Sequence, residues 1–399
     1  MTHPPSSKSV FNRPPRIKPA IPQADISLPS PPAKPNERSS TNWIVMAMPV
    51  ISVLIMVGAM AALSQGSNAV VFAVPMTAMA VMGVVTTIVT GRSQRKQNHQ
   101  EYEERVAFYE EQLAERSDDL RALYQTEQTT RLYLNPGATE LWQIAGTHDE
   151  PSARLWERRL HDEDFLELRV GLGQLPLSSE IEVPQPQPNA PVDRRLFDLR
   201  RQYQTLRGVP ITVRLAQAAS LGLAGPAEAT GGVLRSILWH MLVLHAPTEL
   251  RIALVASEAT RSQWEWLRWA PHTVPMSNDT AASARMVAHE PEAVNTLMSN
   301  LLDVLSRRRD MVEKSKDSSA GPPAFPHLCV VIDNIEQVRG QPVVSEILSH
   351  CAMFNMSVIF RLAAWQDIPS ACRVMLDIQP GGGAEHHRVP RKSLSLIHI

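Results

Sequence analysis

One stretch of the chain, Trp43 to Gly91, carries no charged residue, and no other feature restricts its folding as strongly. Gln65-Gly66-Ser67-Asn68 divides it into two apolar runs, Trp43 to Ser64 and Ala69 to Thr90. A helix needs about 20 mostly apolar residues to cross a bilayer, where it satisfies its own backbone amides. The two runs therefore predict a two-helix transmembrane hairpin. Lys8, Arg13, Arg16, Lys18, Lys34 and Arg38 precede it, Arg92, Arg95 and Lys96 follow it, and the connecting loop is uncharged. Short basic flanks stay on the cytoplasmic side, so a multi-pass membrane protein with both termini in the cytoplasm is expected. A cleaved signal peptide is not expected, because the first run begins too late and is too long.

Around the hairpin the chain reads in segments. Residues 1–42 form a Pro-rich tail, with ten prolines in the first forty residues, too poor in apolar surface to fold alone. Within it Phe11-Asn12-Arg13-Pro14-Pro15-Arg16 reads either as charge that enforces topology or as a docking peptide for a neighbouring subunit. Over 92–135 a helical stalk is expected. Tyr102, Val106, Tyr109, Leu113, Leu120 and Leu123 follow a helical seam, and Asn135-Pro136-Gly137 supplies a stop. The net charge of -1 gives no electrostatic case for nucleic acid as a partner. Cys329, Cys351 and Cys372 are far apart and without a metal-ligand spacing, so they read as buried thiols.

A linker segment, 136–200, contains Trp156-Glu157-Arg158-Arg159, Asp162, Asp164-Phe165-Leu166 and Arg169-Val170-Gly171-Leu172-Gly173. Alternation over Phe165 to Val170 predicts a strand, and the acidic residues predict a surface loop. From about Gly208 strands and helices alternate, which predicts a parallel α/β sheet over 201–380. Expected strands are Ser220 to Ala224, Leu250 to Ala256, Leu328 to Asp333 and Met356 to Leu362. Expected helices run through Leu234 to Leu244 and Leu297 to Arg308.

A phosphate-binding loop places G-x-x-x-x-G-K-[ST] between strand and helix, with lysine on the phosphates and a hydroxyl on Mg²⁺. Here Gly225-Pro226-Ala227-Glu228-Ala229-Thr230-Gly231-Gly232 puts Gly231 where lysine belongs and Gly232 where the hydroxyl belongs. Asp333 matches the acidic residue that holds Mg²⁺, and Asn334 follows where glutamate is usual. A degenerate P-loop NTPase-like domain is the expectation, with Gly225, Thr230, Gly231, Gly232, Asp333 and Asn334 as its altered nucleotide positions. No residue is expected to be catalytic or to ligate a metal. Trp264-Glu265-Trp266-Leu267-Arg268-Trp269-Ala270-Pro271-His272 reads as a core or inter-domain packing element, with a nucleic-acid stacking platform as the alternative. Arg307-Arg308-Arg309 reads as a solvated helix end, with an arginine finger as the alternative.

The block Trp156, Arg158, Asp164, Phe165, Arg169, Gly171 and Gly173 resembles the membrane-proximal signature of the EccC/EssC proteins, FtsK/SpoIIIE-like ATPases of bacterial type VII (ESX) secretion. The Arg13-Pro14-Pro15-Arg16 patch and the segment order are similar too, to about residue 380. The resemblance implies a bacterial plasma-membrane protein that anchors and transmits force for a secretion motor, with an often divergent first ATPase-like domain. It implies an N-terminal fragment, since family members continue with further ATPase domains that bind ATP and Mg²⁺. Other type VII secretion membrane subunits are the implied partners, together with small secreted WxG-type substrates engaged by those later domains, in a homo-oligomer. The alternatives are the anchor of a DNA translocase and a non-enzymatic membrane scaffold. Whether the chain is itself an enzyme stays open at this point. Leu394 to Ile399 equals the translation of a transposase end used in sequencing-library preparation and is expected to be an artefact.

Overall fold

The computed structural model describes residues 13–35, 48, 51–53, 55–56, 58–59, 69–146, 152–275, 285–316, 325–350, 353–379, 384–388 and 396–398. Two compact units emerge: Met1–Ile21 with Glu127–Leu175 and Leu206–Ile399, and Pro22–Thr126 with Pro176–Thr205. In chain order the strands are β1 (Ile26–Ser27), β2 (Glu167–Pro176), β3 (Ile181–Glu182), β4 (Thr205–Arg214), β5 (Ser220–Ala224), β6 (Leu250–Val255), β7 (Val287–Ala288), β8 (His327–Ile332), β9 (Met356–Leu362), β10 (Val374–Ile378), β11 (Ala384–Arg388) and β12 (Leu396–His398). The longer helices are α1 (Ala69–Leu134), α2 (Ala138–Ala145), α3 (Arg194–Tyr203), α4 (Ala227–Leu244), α5 (Pro291–Lys316) and α6 (Pro342–His350).

The first unit is built on an eight-stranded sheet of order β12-β11-β10-β5-β9-β8-β6-β7. From β10 to β7 every pairing is parallel, while β11 and β12 add antiparallel at one edge. Helices on both faces explain the parallel run, because strands covered twice tolerate no polar face. Successive side chains of a strand point to opposite faces, and the core divides accordingly. Cys329 and Val331 join Leu234, Ile237, Leu238 and Met241 of α4 in one cluster. Leu328, Val330 and Ile332 join Leu297, Leu301 and Leu305 of α5 and Ile347 of α6 in another. The chain leaves β5 for β6 across two intervening strands and later returns on the other side as β10. This reversal makes the carboxyl end of β5 a switch point, where open α/β sheets form a ligand crevice.

The second unit contains most of α1. Tyr109, Leu113 and Leu120 along the expected seam are buried. The Tyr109 hydroxyl donates to Asp193 at 2.8 Å, and Tyr124 meets Tyr203 of α3 edge-on with centroids 5.8 Å apart. Arg195 forks onto Glu110 at 2.7 and 2.8 Å, and β1 pairs in parallel with β3.

Several expectations need correction. The first apolar run lies mostly outside the described residues. The second is not a separate span: it opens a continuous helix of 66 residues that runs from Ala69 into the charged turns after Arg92 and ends at Leu134. Among the described residues no helix is long and apolar enough to cross a membrane. The multi-pass plasma-membrane localisation and the transmembrane hairpin of the expected fold class are therefore not supported. Arg308 is neither solvated nor a finger. It is buried and donates to the carbonyls of Phe354, Asn355 and Pro326, and burial pulls its guanidinium down to about 10. Cys329 and Cys372 are buried thiols, and burial pushes the Cys329 thiol up to about 12. Cys351 lies outside the described residues. Of the tryptophan-rich segment, Trp264 is fully buried, whereas Trp269 is exposed.

Candidate functional site

A cleft of about 330 Å³ opens at the carboxyl ends of β5, β8 and β9. Gly225, Thr230, Asp333, Asn334, Glu336 and Arg361 line it. Local chemistry positions each of them. Gly225 has φ +132°, and a Cβ there would collide with the Ile378 carbonyl oxygen, so only glycine lets the chain turn from β5 into α4. Pro226 then caps α4 without a side-chain hydrogen bond, and Glu228 stands exposed in the first turn. The Thr230 hydroxyl donates backward to the carbonyls of Pro226, at 3.0 Å, and Ala227, at 3.2 Å. Asn334 accepts the Glu336 amide at 3.0 Å, and the Glu336 carboxylate pairs with Arg339 on the surface.

The side chain that dominates the cleft, Arg361, is one that sequence reasoning missed. Its Nε donates to Asp333 Oδ1, and its Nη1 donates to the Ala227 carbonyl at 2.9 Å. The other Asp333 oxygen accepts the Thr260 hydroxyl at 2.7 Å. Asp333 and Arg361 are both buried, at 6% and 8% relative exposure. A Cβ added at Gly231 would lie 3.8 Å from Arg361 Nη1 and 3.6 Å from Arg235 Nη1, whereas nothing lies within 4 Å at Gly232. Both carboxylate oxygens of Asp333 are thus engaged, the threonine hydroxyl is turned into its own helix, and a guanidinium borders the place of the missing lysine. The residues present do not fit a Mg²⁺-nucleotide. A signal for Arg361 existed: an arginine inside the apolar run Met356 to Leu362 requires a buried partner.

The signature residues form a second cluster in the same unit. Trp156, at φ +58°, donates its amide to Val243 at 2.8 Å and its indole N–H to Leu242 at 3.0 Å, which fixes the segment to the end of α4. Arg158 is fully buried and donates to the carbonyls of Glu167 and Leu134 and to Asn135 Oδ1. Phe165 packs edge-on against His245, centroids 5.1 Å apart, and against His327 at 5.8 Å. Arg169 donates to the Asn135 carbonyl at 3.1 Å. Gly171 lies on β2 with open space where a Cβ would stand, and Gly173 shares that strand. The arrangement joins the linker to the sheet and positions no nucleophile or base.

Asp164 is not a surface residue. The N-terminal strap, 13–16, closes on it: Arg16 forks onto Asp164, 2.8 Å for Nη1 to Oδ1, and reaches Asp162 at 3.1 Å. Arg13 forks onto Glu249 at 2.9 Å through each nitrogen and donates to the Trp156 carbonyl at 3.1 Å. Burial alone would raise the Asp164 carboxyl, but the Arg16 hydrogen bonds and the Arg158 and Arg16 charges outweigh it, and its pKa falls to about 2. The basic patch thus docks on its own chain, since two arginines and four carboxylate oxygens satisfy each other best in fork geometry. Phe11 and Asn12 lie outside the described residues.

No protein-family model matches the chain. It is 30% identical over 317 residues to the ESX-4 secretion system protein EccC4 of Mycobacterium tuberculosis, covering 76% of this chain and 25% of that protein. To the ESX secretion system protein EccC of Geobacillus thermodenitrificans it is 23% identical over 363 residues, 88% of this chain and 23% of the relative. The chain thus spans about a quarter of the length of the curated relatives it matches. Among solved structures, the cytoplasmic domain of the Thermomonospora curvata type VII secretion ATPase EccC superposes with a TM-score of 0.39 at 15% identity, over 66% of this chain and 32% of that one. The fold assignment rests on the strand register described above.

Proposed function

The chain belongs to the EccC/EssC family of bacterial type VII secretion proteins, and on that premise we propose that its α/β unit is a non-hydrolysing, load-carrying module of a secretion motor that drives protein export. The observation that carries this reading is the Asp333 carboxylate, held by Arg361 and Thr260 beside a loop with glycine at the lysine and hydroxyl positions. Gly225, Thr230, Gly231, Gly232, Asp333 and Asn334 are, on this proposal, remnants of a nucleotide site. Trp156, Arg158, Asp164, Phe165, Arg169, Gly171 and Gly173 act as the joint between linker and sheet. ATP and Mg²⁺ belong to further domains of the kind the longer relatives have room for. Partners are other type VII secretion subunits and further copies of the chain, and WxG-type substrates meet those further domains.

The full chain titrated with Mg²⁺-ATP in a calorimeter is expected to show no saturable heat. Tight, Mg²⁺-dependent binding abolished by Asp333→Asn would overturn the proposal.

A further inference from the structure

We infer that Arg361 is the built-in counter-ion of Asp333, and that it, beyond the missing loop lysine, bars a divalent cation from the cleft. This rests on the reading of the unit as non-hydrolysing and names the residue that keeps it so.

Three contacts place the guanidinium where a metal ion and a nucleotide would compete. It holds one Asp333 oxygen through Nε and the first-turn carbonyl of α4 through Nη1, at 2.9 Å. It also borders the Gly231 position at 3.8 Å from an added Cβ. Mg²⁺ binds through carboxylate oxygens and demands near-octahedral geometry with several retained waters. To reach Asp333 it would have to break an ion pair that is almost fully buried, which leaves an arginine in the cleft with no second buried acid there to receive it. The other acidic groups on the cleft wall, Glu336 and Asp367, are exposed. A lysine restored at position 231 would meet like charge from Arg361 and Arg235. Repair of the loop alone therefore leaves the cleft closed. Removal of Arg361 reverses the situation: Asp333 keeps Thr260 as its donor at 2.7 Å, its second oxygen is freed, and the cleft admits water. A buried carboxylate stripped of its cation recruits another, and Mg²⁺ or Mn²⁺ is the available class.

The test compares the full wild-type chain with Arg361→Met and with Asp333→Asn/Arg361→Met, the latter a neutral pair of similar shape. Thermal unfolding is followed in EDTA and in millimolar Mg²⁺, and Mn²⁺ binding is read from loss of the free-ion EPR signal. Arg361→Met is expected to melt roughly 5 °C higher in Mg²⁺ than in EDTA and to take up one Mn²⁺, through mass action on the folded state. Wild type and the double variant should ignore both ions. Should Arg361→Met fail to fold in EDTA, its refolding yield with Mg²⁺ against EDTA gives the same reading. The inference is overturned by an Arg361→Met protein indifferent to metal, or by a wild-type chain that binds Mn²⁺ through Asp333. Neither result bears on ATP binding by wild type, which tests the proposed function separately.

Discussion

Acidification below neutrality should destabilise the α/β unit before its carboxylates are protonated. Four histidines in it are almost wholly inaccessible, each at 1% relative exposure or less: His240, His245, His272 and His327. Burial, reinforced at His240 and His245 by the Arg158 charge, lowers His240 to about 3 and His245 well below 6.5. Burial likewise lowers His272 and His327 to about 4. The neutral rings are committed: His245 Nε2 accepts the Leu166 amide at 3.0 Å, so its proton sits on Nδ1 facing the Met241 carbonyl at 3.2 Å. Each folded pKa lies below its unfolded value, so the unfolded chain binds more protons and stability is lost as pH falls from 6.5. The loss is about 1.4 kcal/mol per pH unit for each ring. Between pH 6.5 and about pH 5 the four together remove several kcal/mol, a large share of the stability of an ordinary domain. Urea unfolding followed by tryptophan fluorescence, which reports on buried Trp264, should give a midpoint constant above neutrality and falling steeply below pH 6.5. His327→Gln, which can still reach a neighbour by hydrogen bond, should reduce the proton uptake by one. A midpoint that holds level down to the carboxylate range would refute the account.

Other expectations are local. Arg16→Ala leaves Asp164 with Arg158 Nε at 3.6 Å as its near cation and should destabilise by about 3 kcal/mol in urea, the usual cost of breaking a buried pair. With Arg16 present the folded Asp164 pKa of about 2 lies below the ordinary 3.8, so its stabilisation holds above that value and is lost between about pH 4 and pH 2. In the Arg16→Ala protein a carboxyl-carbon NMR titration should find the Asp164 pKa raised, and an unchanged titration would refute the pairing. Gly225→Ala should lower the thermal midpoint sharply or prevent folding, because φ +132° and the Ile378 carbonyl both exclude a Cβ. Gly232→Ala, with open space around it inside α4, should instead stabilise by about 0.5–1 kcal/mol, and equal effects at the two glycines would count against the turn geometry.

The parallel sheet was legible in the sequence because its strands are covered on both faces, so Ser220–Ala224, His327–Ile332 and Met356–Leu362 are mostly apolar and fully buried. The glycine turn after β5 and the carboxylate after β8 were legible for the same reason, as punctuation at the ends of such runs. Pairings between distant segments were not. Arg13 and Arg16 advertise charge, but their partners Glu249 and Asp164 stand 236 and 148 residues away, and composition carries no address. Asp162 and Asp164 looked solvated because an acidic turn usually is; only the strap that covers them makes Asp164 interior. Arg308 misled by context, since two exposed arginines flank it on the helix while its own side chain reaches the carbonyls that lead into β9. The apolar opening of α1 invited a hairpin, but a run of apolar residues does not say where its helix ends.

The Asp333–Arg361 pair and the Arg16–Asp164–Arg158 cluster follow one principle. A domain that depends on a bound cation gains stability only in proportion to how often that ion is present. Here the cations are covalently part of the chain, so their occupancy is permanent. A buried pair of this kind contributes little net stability over an apolar pair of equal volume, but breaking it costs several kcal/mol, which favours a single arrangement of the groups around it. That property is the one the proposed function requires of a module that passes displacement on and does not generate it. Arg361, on β9, bonds both the first turn of α4 and the carboxylate that follows β8, so it ties the helix to this edge of the sheet.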